Sequence, residues 1–225
     1  MMSKLSKETI EVLSNFSTIN PNLVVKKGNV INTISEAKNI LAIAKVEETF
    51  ESDFGIYDLN EFINVLNLVD EPDLDFSENS VTLKGANCNA VYRFADESIL
   101  TSPTQKLNMP DADVEVLISG EVINQIRKAS SVLNHSIVSL KGSGGKVELV
   151  VNDPNNPTAN TYNITLDEDN DCKQDFDFQF LISNFKLIGG DYKVKISSKL
   201  ISNWSKVSDG EIEYYIALEK TSTFG

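Results

Sequence analysis

Apolar positions Leu5, Thr9, Val12, Leu13 and Phe16 recur three and four apart, which predicts an amphipathic helix over about residues 6–17 with Ser6 available to cap it. Alternation takes over downstream. Residues 23–26 and 30–33 flank Lys27-Gly28-Asn29 and predict a hairpin, and residues 39–46 (NILAIAKV) predict a third strand with no strong turn before it. Asp58 is placed to cap a second helix whose buried stripe is Leu59, Phe62, Ile63, Leu66 and Val69, with Asn60, Asn64 and Asn67 on the opposite face. Strands over 73–76, 80–84 and 89–94 follow, separated by turn-forming segments.

Residues 97–110 contain Pro103 and Pro110, few apolar residues and no period, and so predict a connector. A second series then begins with a strand over 114–118 and a helix to about residue 133, with the stripe Val122, Ile126, Ala129 and Leu133 and Ile123 alongside. Strands over 137–141, 146–151, 161–166 and 175–180 lead into a short predicted helix near 181–187. Closing strands are expected over 191–196, 199–205 and 211–219.

The two series repeat one pattern. Residues 54–66 (FGIYDLNEFINVL) and 178–188 (FQFLISNFKLI) each run from a short alternating strand into an Asn-bearing predicted helix. A chain of 225 residues accommodates two domains of about 110, each able to bury a core. The expected division is a first domain over 1–96, a connector over 97–110 and a second domain over 111–225. One asymmetry stands out: a strand precedes the helix of the second copy, whereas residues 1–4 leave little room for one.

Charge changes what to look for. The net charge is −13, with nine Lys/Arg against sixteen Asp/Glu up to Asn108 and eleven against seventeen after it. Such a molecule repels nucleic acid at long range, so any contact with DNA requires a locally favourable face. The N-terminus lacks the long apolar core of a signal peptide, and no run approaches the roughly 18 apolar residues of a membrane span. The expectation is a soluble, intracellular protein. Cys88 and Cys172 fall in different halves with no metal-binding spacing, and read as free thiols.

Catalytic motifs fare poorly. His135 is the only histidine, and no activated Ser or Cys motif accompanies it. Gly142-Ser143-Gly144-Gly145 lies between two predicted strands and lacks the Lys-Ser/Thr and helix of a phosphate-binding loop, so it reads as a hairpin turn. Asp167-Glu168-Asp169-Asn170-Asp171 starts like a calcium loop, but Cys172 stands where Gly is needed and Phe178 where a bidentate Glu is needed. The basic residues are better placed. Lys4 and Lys7 lie one turn apart off the first apolar stripe, Arg127 and Lys128 flank Asn124 and Ser131 on the third helix, and Lys186 lies at the fourth. Each helix is therefore expected to present an uncharged or basic outer face, although Glu8, Glu11, Glu61 and Glu121 share those helices.

Several segments resemble the sliding clamps, the DNA polymerase accessory proteins or processivity factors, of T-even-type bacteriophages. They are Leu5-Ser6-Lys7-Glu8-Thr9 with Asn15-Phe16-Ser17-Thr18-Ile19-Asn20, Ile56-Tyr57-Asp58-Leu59-Asn60-Glu61-Phe62 with Leu68-Val69, Asp191-Tyr192-Lys193, and Ala217-Leu218-Glu219 with Ser222-Thr223. The resemblance implies an α+β fold of two similar clamp-type domains, each with antiparallel sheets outside and two helices inside, assembling as a homotrimeric ring. It implies no enzymatic activity and no cofactor. The implied partners are duplex DNA held topologically, further copies of the chain, the phage DNA polymerase, an ATP-driven clamp loader and late-transcription factors, in the cytoplasm of the infected bacterial host.

Carried onto this sequence, the resemblance places Lys7, Arg127 and Lys186 at basic positions of DNA-facing helices, and the helix faces add Lys4, Asn60, Asn64 and Lys128 as DNA-facing residues. Ser14 and Ser131 stand where relatives carry basic residues, which implies a less positive bore. The implied subunit joint pairs residues 89–94 of one copy with 161–166 of the next, through Val91, Arg93, Tyr162 and Ile164. The implied partner pocket lies near Leu107, Met109 and Ile216. Two other classes compete: a phage structural or assembly protein of duplicated α+β form that does not bind DNA, and an enzyme with an unrecognised carboxylate site. Lysines scattered over the outside would favour the first, and a deep pocket of convergent ionisable groups the second.

Overall fold

The structure, a computed structural model, describes residues 4–104, 107–167, 170–208 and 211–225. It divides into two compact units, Met1–Lys106 with Gly210–Ile212, and Leu107–Asp209 with Glu213–Gly225.

The first unit runs α1 (Lys7–Ile19), β1 (Leu23–Val25), β2 (Gly28–Ile34), β3 (Ile40–Phe50), β4 (Phe54–Ile56), α2 (Leu59–Leu68), β5 (Asp73–Phe76), β6 (Ser80–Lys84) and β7 (Asn89–Arg93). Ser6 caps α1 by accepting the Thr9 N–H at 3.1 Å, and the Glu48 carboxylate on β3 also accepts from the Ser6 N–H and the Thr9 hydroxyl. A carboxylate at this end complements the helix dipole. Val12, Leu13, Phe16 and Ile19 are buried on one side of α1. Truncating a buried Phe such as Phe16 to Ala costs about 3–5 kcal/mol.

The predicted hairpin around Gly28 does not form. β1 pairs instead with β4, Leu23 opposite Ile56, and β2 pairs with β3. All three residues of β1 are buried, so this short strand is enclosed on both faces and takes its partner from the start of the α2 segment. The turn before β3 is built by a side chain: Ser35 accepts from the Asn39 and Ile40 N–H groups at 3.1 and 3.0 Å, while Lys38 adopts a φ of 57°. Strands β5, β6 and β7 form an antiparallel meander.

The second unit runs β8 (Val114–Ile118), α3 (Gly120–Leu133), β9 (Ile137–Ser143), β10 (Lys146–Asn152), β11 (Tyr162–Asp167), β12 (Phe176–Leu181), a 3-10 turn over Ile182–Asn184, β13 (Tyr192–Ser197), β14 (Ile201–Lys206), β15 (Ile212–Ala217) and β16 (Thr223–Phe224). One sheet has the order β11-β10-β9-β12-β16, and β15-β14-β13-β8 are neighbours in a second. The glycine motif does make the β9–β10 turn. Gly144 and Gly145 take φ of 60° and 93°, and a Cβ on Gly142 would stand 2.1 Å from the Phe176 ring.

The duplication is visible in the pairing. β9 pairs β12 and β10 pairs β11, as β1 pairs β4 and β2 pairs β3, and a three-strand meander follows in each unit. Two expectations are corrected. The fourth helix is only the 3-10 turn, because Phe178, Phe180, Phe185, Leu187 and Ile188 are all buried within an eleven-residue stretch. That spacing leaves no exposed face for a helix, and so short a segment gives little return for nucleating one. The described residues thus hold one α-helix in the second unit and three in all, so two helices per domain does not hold. On α3 the buried centre is Ile123, Ile126 and Ser130, with Val122, Ala129 and Leu133 only half-buried at its margin.

Candidate nucleic-acid and subunit surfaces

The exposed residues of α1 are Lys7, Glu8, Glu11, Ser14 and Thr18. Ser14 turns its hydroxyl back to the Ile10 carbonyl at 2.8 Å. Lys4, just before the helix, forms an ion pair with Glu71 at 2.9 Å. Hydrogen bonding and charge from Glu71 raise the Lys4 pKa, and Lys4 in turn lowers that of Glu71. Both side chains are well exposed, so the pair adds little stability, but it offsets the charge that Lys4 was expected to offer.

On α2, which packs beside α1, Asn60, Asn64 and Asn67 are exposed as expected, together with Glu61. Asp58 caps the helix by accepting the Glu61 N–H at 3.0 Å.

On α3, capped by Ser119, the exposed residues include Glu121, Asn124, Gln125, Lys128, Ser131 and Val132. Arg127 is corrected. It was expected on the solvent side, but it is half-buried, and its guanidinium donates to the Phe185 carbonyl and, at 3.4 Å, to that of Leu187. Burial pushes its pKa down. Arg127 therefore ties α3 to the segment after the 3-10 turn. Lys186 lies in that segment rather than on a helix, and is half-buried.

The helix faces are thus polar and mildly acidic, not uncharged or basic. Among exposed residues of the three helices, Lys7 and Lys128 stand against Glu8, Glu11, Glu61 and Glu121. Such a surface offers amides, hydroxyls and two flexible ammonium groups to a phosphate backbone. Contacts of that kind position a phosphate backbone and carry no sequence information.

Two of the edge strands, β7 and β11, each lie beside a helix. β7 terminates the meander of the first unit, with Val91 and Arg93 exposed, and β11 terminates the larger sheet of the second, with Tyr162 exposed and Ile164 half-buried. Beside each edge a helix carries an aliphatic side chain in solvent. Leu68 on α2, which packs on β7, is 73% exposed, and Val132 on α3, which packs on β11, is 74% exposed. A groove of about 380 Å³ runs between α3 and β11, lined by Gln125, Lys128, Ala129, Val132, Leu133, Thr161 and Tyr162. The sequence alternation marked both edge strands. It did not mark Leu68 and Val132, whose signal was an aliphatic residue off the apolar stripe.

Of the expected partner pocket, Leu107 and Met109 are half-buried and so reachable, but Ile216 is fully buried in β15 and is corrected to a core residue. His135 Nε2 lies 2.9 Å from the Asn160 carbonyl. In the acidic loop, Glu168 and Asp169 lie outside the described residues. Asn170 uses its side chain on the Glu115 carbonyl, the Asp167 carboxylate and the Cys172 N–H. Among the described residues there is no group of three or more His, Cys, Asp or Glu placed to hold a metal, and no helix is long and apolar enough to cross a membrane.

Residues 4–98 match the family described as DNA polymerase processivity factor, and residues 115–220 match gp45 sliding clamp, C terminal. The chain is 33% identical over 222 residues to the sliding clamp of Vibrio phage KVP40, covering 96% of this chain and 99% of that one. It is 30% identical over 227 residues to the sliding clamp of Enterobacteria phage T4, covering 98% of each. The solved structure of A. fulgidus PCNA with the C-terminal region of FEN-1 has a TM-score of 0.74 at 10% identity over 99% of each chain, a likeness of fold. On these end-to-end matches, the chain belongs to the sliding clamps, the processivity factors of phage DNA polymerase.

Proposed function

We propose that three copies of this chain close head to tail into a ring around duplex DNA and tether the replicative polymerase to it. The observation that carries this reading is the pair of unlike edges. β7 with Leu68 and Val91 belongs to one unit, β11 with Val132 and Tyr162 to the other, so a joint between them is heterologous and generates a ring when the rotation closes. Pairing Val91 and Arg93 with Tyr162 and Ile164 would satisfy both edges, and Leu68 would fill the groove beside Val132. A stable joint needs roughly 1,200–2,000 Å² in total, which two strands and their flanking helices can supply.

Sliding requires weak contact. Lys7, Lys128, Asn60 and Asn64 would meet phosphates transiently, with Lys4 and Lys186 contributing once their present neighbours yield. The overall charge of −13 keeps DNA off the outer surface. Opening the ring falls to an ATP-driven loader, and the polymerase tail and late-transcription factors dock near Leu107 and Met109. The clamp itself would perform no catalysis and would work in the cytoplasm of the infected host. The direct test is mass in solution: at 24.9 kDa per chain, a homotrimer weighs about 75 kDa. A monomer at every concentration, with the loader present as well as absent, would sink the ring.

A further inference from the structure

The first unit holds a pocket that none of the foregoing uses. It has a volume of about 220 Å³ and is lined by Thr49, Phe50, Glu51, Ser52, Phe54, Phe76, Ser77 and Glu78. Its floor is aromatic. The rings of Phe50 and Phe54 are 5.5 Å apart and edge-on, Phe76 lies 5.4 Å from Phe54, and Phe94 stacks behind Phe54 at 4.7 Å. Phe50 and Phe54 are almost fully buried, whereas Phe76 and Phe94 are only half-buried.

Size restricts the ligand. An apolar cavity of about 150 Å³ already accepts benzene, whereas pockets for whole drug-sized molecules begin near 300 Å³. This pocket therefore takes one large apolar side chain, not a nucleotide. Charge restricts it further. The lining holds two carboxylates, Glu51 and Glu78, and no cation, and the nearby Lys26 is committed to Asp53 and Glu97. The polar rim belongs to two exposed turns, 51–53 and 77–79, which leave the mouth open to an extended chain.

We propose that this pocket is a second docking site, receiving a flexible peptide segment of a partner protein that carries one aromatic or long aliphatic anchor beside Lys or Arg. The anchor sits on Phe50, Phe54 and Phe76, and the adjacent cation pairs with Glu51 or Glu78. The site belongs to the first unit, whereas Leu107 and Met109 belong to the second. It gives each clamp chain two points of attachment, so two partners can be held at once or one held by both sites.

The test titrates the full chain with a fluorescein-labelled peptide, Gly-Ser-Gly-Phe-Lys-Lys-Ser-Gly, read by polarisation. Replacing the peptide's Phe by Ala is expected to weaken binding roughly 30-fold, the 2 kcal/mol of an anchoring residue. Thr49→Trp, an aromatic at an exposed strand position that tolerates one, is expected to block the mouth and abolish binding with the unfolding midpoint unchanged. Glu51→Lys with Glu78→Lys is expected to weaken the Lys-Lys peptide about tenfold and to create binding of its Glu-Glu counterpart. Repeating the titration on a Val132→Asp chain separates failure of the pocket from failure of the ring. No binding at about 1 mM, binding indifferent to Thr49→Trp, or a change in assembled mass caused by Thr49→Trp would overturn the proposal, the last because a second copy would then fill the pocket.

Discussion

Arg127 offers the sharpest contrast between a role in DNA contact and a role in holding the second unit together. Arg127→Met keeps most of the apolar stem and deletes the guanidinium, leaving the carbonyls of Phe185 and Leu187 without their donor. Hydrogen bonds to charged groups contribute about 1.5–3 kcal/mol, and orphaned acceptors on the buried residues Phe185 and Leu187 add a penalty. Since Arg127 is only half-buried and water can reach part of the site, a loss of about 2 kcal/mol is the working figure. A reporter stands beside the site: Trp204, the only tryptophan, lies fully buried with its ring 5.0 Å from that of Phe185. Urea unfolding followed by Trp204 fluorescence should show an earlier midpoint for Arg127→Met with an unchanged slope, while Lys128→Met, one residue away and exposed, should be within about 0.5 kcal/mol of the parent. Arg127→Lys should recover only part, because an ammonium cannot reproduce the fork that reaches two carbonyls. A variant Arg127→Met with parent stability but impaired retention on DNA would refute the structural assignment.

Three further outcomes follow from the geometry. Val132→Asp, at a site 74% exposed in the single chain, should leave unfolding of the chain nearly unchanged but shift its mass toward monomer by sedimentation, and Leu68→Asp should do the same from the other edge. Lys7→Glu, away from the proposed joint, should preserve the assembled mass while raising the loss rate from circular DNA and flattening its dependence on salt, measured across a salt series after loading. Tyr215 has its pKa pushed up to about 12, by burial first and then by the adjacent Glu213. A folded value above the ordinary phenol value near 10 means that stability is intact below pH ~10 and falls as pH rises toward ~12. Tyr215→Phe should flatten that decline in alkaline unfolding curves, and Glu213→Gln should bring the late phenol transition at 295 nm to lower pH.

Much of this fold was legible because its signals are local. Ser6 and Asp58 cap helices where a cap was expected, and the strands over 73–94 and 137–152 lie between turns that glycines and serines announce. What escaped was set by partners distant in sequence. β1 pairs with β4 rather than β2, a choice that depends on enclosure of both its faces. The stretch 178–188 has helix-like residues, yet burial of all three of its phenylalanines forbids a helix with a solvent face. Charges behaved likewise: Lys4 and Arg127 lie off the apolar stripes, but Glu71 and two backbone carbonyls claim them. Ile216 reads as a surface-pocket residue only while the alternation of β15 is not referred to its core side.

The central claim is topological, and it is tested by loading the clamp with its loader and polymerase-free DNA, then comparing retention on closed circles with retention on the same DNA after linearisation. A ring predicts persistence on the circle and rapid loss from the linear ends, with little dependence on sequence. Equal persistence on both would mean that the chain holds DNA by direct affinity, and would contradict encirclement.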